Sequence, residues 1–352
     1  MIRYTLNNTI NEVYQEEAIL PYMHLLYSDT LLAFIPEEYR DVPLEEAEKH
    51  VVFPWGIPFS GKQFLDAAAY AQEMAYTDSY ELLPLWMDGT KDYVPDVTRN
   101  DLSSVFLIRK KSTVSPTRPA AVMCPGGGYE TLAFDNEGLG LASKLEEMGF
   151  AAFILNYRLA PNRFPAPQYD LMLAIKFIRA NAERFGVDPG HVLAMGSSAG
   201  GHLCASTAML SRELENGLIA EIEKQKLPDA VAYRAQSGRP DALCLNYPVI
   251  SFLSETHEPS FQALTGGDES LREKLSVEQH ISADYPKTFV WTCLDDSLVP
   301  ASNAARMGAA LEKAGIDSRC ILFPQGDHGC GLGYGTSAEG WIEQMGAFLN
   351  WT

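Results

Sequence analysis

The amino-acid sequence predicts an α/β fold: a mostly parallel central sheet flanked by helices, preceded by a largely helical N-terminal extension. From about Asp101 onward, short β-branched or apolar runs alternate with longer amphipathic segments. Gly149, Gly186 and Gly315 follow three of those segments, where a residue tolerant of positive φ ends a helix at little cost. Residues 1–100 lack the alternation.

The predicted strands are Val105–Ile108, Ala120–Cys124, Ala151–Asn156, Val192–Gly196, Ala242–Tyr247, Thr288–Cys293 and Arg319–Phe323. Between them Glu137–Met148, Gln168–Phe185, Gly200–Leu210, Ser302–Ala314 and Ala338–Leu349 read as helices. Residues 101–352 are therefore expected to form one domain. Within it residues 211–240 are expected to be a helical insertion, because Glu213, Glu215, Glu221, Glu223, Lys224 and Lys226 interrupt the rhythm. In the extension, Pro43–His50, Ser60–Glu73 and Tyr76–Trp86 suggest helices and irregular packing. Its aromatics Trp55, Phe59 and Trp86 are candidates for a pocket wall or lid near the active site, or for plain packing.

A chain of 352 residues, 46% hydrophobic, is long enough for one large α/β domain with an appendage. Its formal net charge of −19 argues against nucleic acid or an anionic membrane as partner and favours neutral small molecules. None of the six cysteines forms a CxxC pair, and Cys124, Cys244, Cys293 and Cys320 lie inside apolar strand-like runs. Reduced core thiols are expected, not a disulfide framework or a zinc site. The segment Met1–Tyr14 mixes polar and apolar residues, and no run approaches the ~20 apolar residues of a membrane span. The expectation is a soluble cytoplasmic protein.

The strongest local signal is Gly196-Ser197-Ser198-Ala199-Gly200, placed directly after a strand and before a helix. A GxSxG run alone is weak evidence. In strand-motif-helix context it predicts a nucleophile elbow, with Ser198 exposed above the sheet over the helix N-terminus and small neighbours easing a strained turn. Pro125-Gly126-Gly127-Gly128 closes the Ala120–Cys124 strand, and glycines let backbone N–H groups approach a ligand. Gly127 and Gly128, with Ala199, are the expected oxyanion hole. A nucleotide-binding reading fails, since neither GxGxxG spacing nor a following Lys-Ser/Thr is present.

In the α/β-hydrolase fold the triad runs in the order Ser, acid, His. His257, His280 and His328 follow Ser198 at a distance, and His328 stands just after the last apolar strand, in Gly326-Asp327-His328-Gly329. It is the expected base. Both Asp295 and Asp296 follow the preceding strand and compete as the acid that orients it. His202 is expected to be structural, because a residue four along the helix points away from the attack face of Ser198. Asn156, Arg158 and Asp170 are expected to hold the sheet edge and its loop together.

From Ala120 onward the chain resembles the acetyl esterase and acetylxylan-esterase-like branch of the α/β-hydrolase superfamily, related to prolyl oligopeptidase-like hydrolases. The resemblance rests on PGGGY at Pro125–Tyr129, NYRLAP at Asn156–Pro161, PAPQYD at Pro165–Asp170, GSSAGGHL at Gly196–Leu203, NYPVIS at Asn246–Ser251, DSLVP at Asp296–Pro300 and GDHG at Gly326–Gly329. In such proteins the catalytic acid stands in a D-x-x-V-P arrangement, which falls on Asp296. Many relatives carry a histidine before the glycines, where this chain has Cys124-Pro125. The resemblance implies hydrolysis of short-chain esters, acetyl above all, of carbohydrates or other small alcohols, through Ser198, His328 and Asp296 and without metal or organic cofactor. A small exopeptidase or amidase and a non-catalytic binding protein of the same fold are the alternatives. A gating propeller would need at least four blades of about 40–50 residues, more than residues 1–100 supply.

Overall fold

The computed structural model describes residues 2–27, 29–53, 58–87, 100–111 and 117–352. Its centre is an eight-stranded sheet in the order β1-β2-β4-β3-β5-β6-β7-β8. The strands are β1 (Tyr80–Pro84), β2 (Phe106–Lys110), β3 (Arg118–Cys124), β4 (Ala151–Asn156), β5 (Val187–Ser197), β6 (Ala242–Asn246), β7 (Lys287–Cys293) and β8 (Ser318–Phe323). β1 pairs antiparallel with β2 and β2 with β4, and the remaining pairs are parallel. The central strands β3, β4 and β6 are buried along their whole length. That is why each reads as a continuous apolar run rather than an alternating one.

Parallel pairing brings the strand ends to one edge of the sheet. Cys124 at the end of β3 sits opposite Gly196 of β5, Ser197 opposite Asn246 of β6, Asn246 opposite Trp291 of β7, and Cys293 opposite Phe323 of β8. The glycine loop, the GxSxG turn, the loop after β6, the Asp295–Asp296 loop and the His328 loop therefore all leave from that edge, where ligands bind in open α/β sheets.

Three features depart from the expectations. Tyr76–Trp86 is not helical or irregular throughout: it contains β1, the edge strand. Five residues ending in a proline give too short an alternation to register, yet an edge strand tolerates Pro84 because one side needs no ladder partner. Residues 211–240 do not begin a separate insertion, because one helix runs unbroken from Ala199 to Lys224, followed by a short helix at Ala230–Ala235. Leu214, Leu218 and Ile222 repeat every four residues on its buried side, and the charged residues occupy the rest. Cys320 is exposed, unlike Cys124, Cys204, Cys244 and Cys293, because β8 is the other edge of the sheet.

The extension shares the core of the sheet domain. Ile10, Val13, Met23, Leu26, Leu44, Phe59 and Phe64 are buried in one apolar cluster continuous with β2 to β7. The helix Gly61–Tyr76 packs on the turn Asp135–Leu139 that follows the glycine loop. Phe59 and Trp86 are packing residues; Trp55 lies outside the described residues. The Trp86 indole N–H donates to Asp170 Oδ1 at 2.6 Å, and its ring lies under the Arg158 guanidinium, 5.4 Å from centroid to Cζ. Asp170 also accepts from the Arg158 backbone and side chain, while Asn156 Nδ2 donates to the Ser104 carbonyl. These polar residues bind the extension, the sheet edge and the helix Ala166–Ala180 to one another. Among the described residues no helix is long and apolar enough to cross a membrane.

Candidate active site

Ser198 stands between β5 and the helix Ala199–Lys224 with φ 53° and ψ −121°, a conformation that non-glycine residues rarely adopt. The turn is closed by close backbone approach. A Cβ at Gly196 would lie 2.1 Å from the Gly200 carbonyl oxygen, and one at Gly200 would lie 2.0 Å from the Cys124 carbonyl oxygen. Those two glycines are required by contact, and the strain falls on the serine, whose side chain is thereby aimed at the loops.

Ser198 Oγ lies 2.9 Å from His328 Nε2, and His328 Nδ1 lies 2.8 Å from Asp296 Oδ2. The Asp296 side chain is fully buried, and its Oδ1 accepts from the N–H groups of Leu298 at 3.0 Å and Val299 at 2.8 Å. The carboxylate is thus fixed at one oxygen by its own loop and presents the other to the imidazole. Asp295 meets the backbone of the His328 loop instead. Its Oδ1 accepts from the N–H groups of Gly326 and Asp327, both at 2.9 Å, so it caps the loop that carries His328. Asp327 returns the link, accepting from the N–H and hydroxyl of Ser297 and from the His328 N–H. The acid loop and the base loop are therefore sewn together through backbone hydrogen bonds, leaving Asp296 as the carboxylate on the histidine.

The glycine loop lies over the elbow. A Cβ at Gly126 would stand 2.7 Å from Ser198 Cβ, and one at Gly127, whose φ is +127°, would stand 2.2 Å from the Thr131 carbonyl oxygen. The Gly126 N–H donates to Glu137 Oε2 at 2.6 Å, which holds the loop from beneath. Gly127 and Gly128 follow, both with positive φ. Ala199, the residue after Ser198, opens the 26-residue helix Ala199–Lys224, and the glycine loop approaches the same serine from the end of β3.

Glu137 belongs to this cluster, and no sequence signal marked it. It is buried, and besides Gly126 it accepts from the Tyr247 hydroxyl at 2.9 Å. The Tyr247 ring packs edge-on against His328 at 5.0 Å and against Trp291 at 5.2 Å. Burial raises the Glu137 carboxyl above the usual range, opposed by the Gly126 hydrogen bond and the nearby His328. One carboxylate therefore positions the glycine loop on one side and, through Tyr247, the imidazole on the other. Glu137→Ala would leave a buried N–H and a buried hydroxyl without a partner. We expect it to lower stability by about 2–3 kcal/mol in urea denaturation and to reduce kcat, while Glu137→Gln retains most of the stability.

His202 is structural, as expected. It is fully buried, its Nδ1 lies 2.8 Å from the Tyr129 hydroxyl and its Nε2 lies 2.9 Å from the Leu275 carbonyl. Burial pushes its imidazole down to about 4 from an ordinary 6.5. Between those values the unfolded chain binds a proton that the folded chain does not, so stability rises with pH across that window. The contribution is present above pH ~6.5 and is lost as the pH falls toward 4. Urea denaturation at pH 7 and pH 4 should show wild type losing on the order of 3 kcal/mol more than His202→Gln over that interval.

Near His328, the neighbouring Cys293 and burial push the Cys330 thiol well up. Cys293 is buried at the end of β7, and Cys330 is half-buried two residues after His328.

A mostly parallel sheet with a strained serine between its central strand and a long helix defines an α/β hydrolase. The BD-FAE family matches residues 107–311, more than half of the chain, and the chain belongs to that family of α/β hydrolases. It is 31% identical over 263 residues to endo-1,4-beta-xylanase B of Butyrivibrio fibrisolvens, covering 73% of this chain and 39% of that protein. It is 30% identical over 229 residues to acetylxylan esterase of Xylanibacter ruminicola, covering 62% and 42% respectively. The chain thus spans about two fifths of the length of these curated relatives. Among solved structures, the acetyl ester-xyloside bifunctional hydrolase from Caldicellulosiruptor lactoaceticus is similar with a TM-score of 0.62 at 31% identity, covering 76% of this chain and 96% of that one.

Proposed function

We propose that the protein is a serine esterase that removes short acyl groups, acetyl above all, from a carbohydrate or a similar small alcohol. The observation that carries the reading is the hydrogen-bonded chain Ser198 Oγ, His328 Nε2, His328 Nδ1 and Asp296 Oδ2, with spacings of 2.9 and 2.8 Å. Ser198 attacks the ester carbonyl as His328 Nε2 takes its proton, and buried Asp296 stabilises the imidazolium. The negative charge that develops on the carbonyl oxygen is received by backbone N–H groups of Gly127, Gly128 and Ala199. The Gly126 N–H is excluded from that task, since Glu137 occupies it. His328 then gives its proton to the departing alkoxide, and water, deprotonated by the same imidazole, cleaves the acyl-enzyme.

Two considerations support an acetylated sugar as substrate. One relative is an acetylxylan esterase, and a similar solved structure is that of an acetyl ester-xyloside bifunctional hydrolase. The net charge of −19 also disfavours a polyanionic substrate and leaves neutral glycosides acceptable. The test is a p-nitrophenyl ester series from acetate to octanoate, with acetylated xylo-oligosaccharide and an aminoacyl p-nitroanilide alongside. Turnover falling steeply beyond short acyl groups, release of acetate from the oligosaccharide and an inert anilide are expected. Preference for long chains, or for the anilide, would overturn the assignment.

A further inference from the structure

The loop after β6 carries an imidazole that the chemistry above leaves unused. His257 immediately precedes the helix Glu258–Thr265 and is half-buried. Its Nδ1 lies 2.8 Å from the buried Ser260 hydroxyl, which fixes the orientation of the ring. A Cβ placed on Gly128 would lie 3.9 Å from both His257 Cε1 and Ser260 Oγ, so the ring borders the glycine loop across a gap of ordinary contact. Among the described residues Nε2 has no hydrogen-bond partner. The glycine loop that this ring borders lies over Ser198, and His328 and Asp296 are near enough to act on the ring electrostatically.

That location assigns it to one half of the substrate. The leaving oxygen must come within hydrogen-bond reach of His328 Nε2, because that nitrogen protonates it. Groups around the base therefore border the alcohol portion of the ester. We propose that His257 Nε2 hydrogen-bonds a hydroxyl of that alcohol and so selects polyol leaving groups over aromatic or alkyl ones. The proposal rests on the esterase reading of Ser198 and His328. A hydroxyl is both donor and acceptor, so it satisfies Nε2 in either tautomer of the imidazole, whereas an apolar leaving group leaves that nitrogen unpaired. Burial, and repulsion from His328, depress the basicity of His257, which favours a neutral hydrogen-bonding group over an anion-binding one.

The experiment compares wild type, His257→Phe and His257→Gln on two substrates, phenyl acetate and a mono-acetylated methyl xyloside, with thermal midpoints taken for each protein. The readout is the ratio of kcat/KM on the xyloside to kcat/KM on phenyl acetate. His257→Phe is expected to lower that ratio about tenfold, chiefly through a higher KM for the xyloside, and His257→Gln to recover part of it. An unchanged ratio, including an equal fall on both substrates, would overturn the proposal. A wild type that cleaves phenyl acetate and leaves the xyloside untouched would overturn it alone. A wild type inert on both would overturn it together with the esterase reading.

Discussion

Ser198→Ala is expected to lower kcat on p-nitrophenyl acetate by about 10⁵- to 10⁶-fold, the scale on which an acyl-transfer triad fails when its nucleophile is removed. The residual rate over water comes from the donors around the carbonyl oxygen, which the substitution leaves in place. The fold should be indifferent to it. Among the described residues the Ser198 hydroxyl hydrogen-bonds only to His328 Nε2, and both serine and alanine carry a Cβ, so the strain at φ 53° is the same in either chain. Circular dichroism and a thermal midpoint close to wild type should accompany the loss. A variant that retained even one per cent of turnover would remove Ser198 from the mechanism.

The second large effect separates two adjacent carboxylates. Asp296→Asn should lower kcat by about 10⁴-fold, because of where the amide is forced to point. The Leu298 and Val299 N–H groups both donate to Oδ1, so the asparagine oxygen stays there and its NH₂ takes the place of Oδ2, facing His328 Nδ1. That nitrogen must then accept, the ring proton moves to Nε2, and Nε2 is no longer able to take the proton of Ser198. Asp295→Asn keeps an acceptor oxygen for the Gly326 and Asp327 N–H groups and should cost less than about tenfold. Parallel kcat measurements on the two variants check the assignment; equal losses, or a larger loss in Asp295→Asn, would exchange the roles.

What the sequence makes legible is what is local or ordered along the chain. Ser198 is marked by small residues within two positions on either side, and His328 by its place after the last strand. The strands of the sheet core are visible because burial on both faces fills their middles with apolar residues and leaves the polar Arg118, Asn156 and Asn246 at their ends. Asp295 and Asp296 are indistinguishable as residues. Only a motif resemblance favours the second, and the reason lies in hydrogen bonds to a loop about thirty residues away. Glu137 and Tyr247 stand 110 positions apart and meet only because the glycine-loop turn and the end of β6 reach the same edge of the sheet. No periodicity carries that information. The continuation of the helix past Leu210 was legible in the four-residue spacing of Leu214, Leu218 and Ile222, but the charges between them obscured it.

The claim on which the rest depends is that Ser198 is a nucleophile activated by His328. The most direct measurement is active-site labelling of the folded protein with a fluorophosphonate probe, followed by peptide mapping of the adduct. A single adduct on Ser198, absent in Ser198→Ala and formed far more slowly in His328→Ala, is the predicted result. No adduct on a folded chain, or an adduct on another residue, would contradict it.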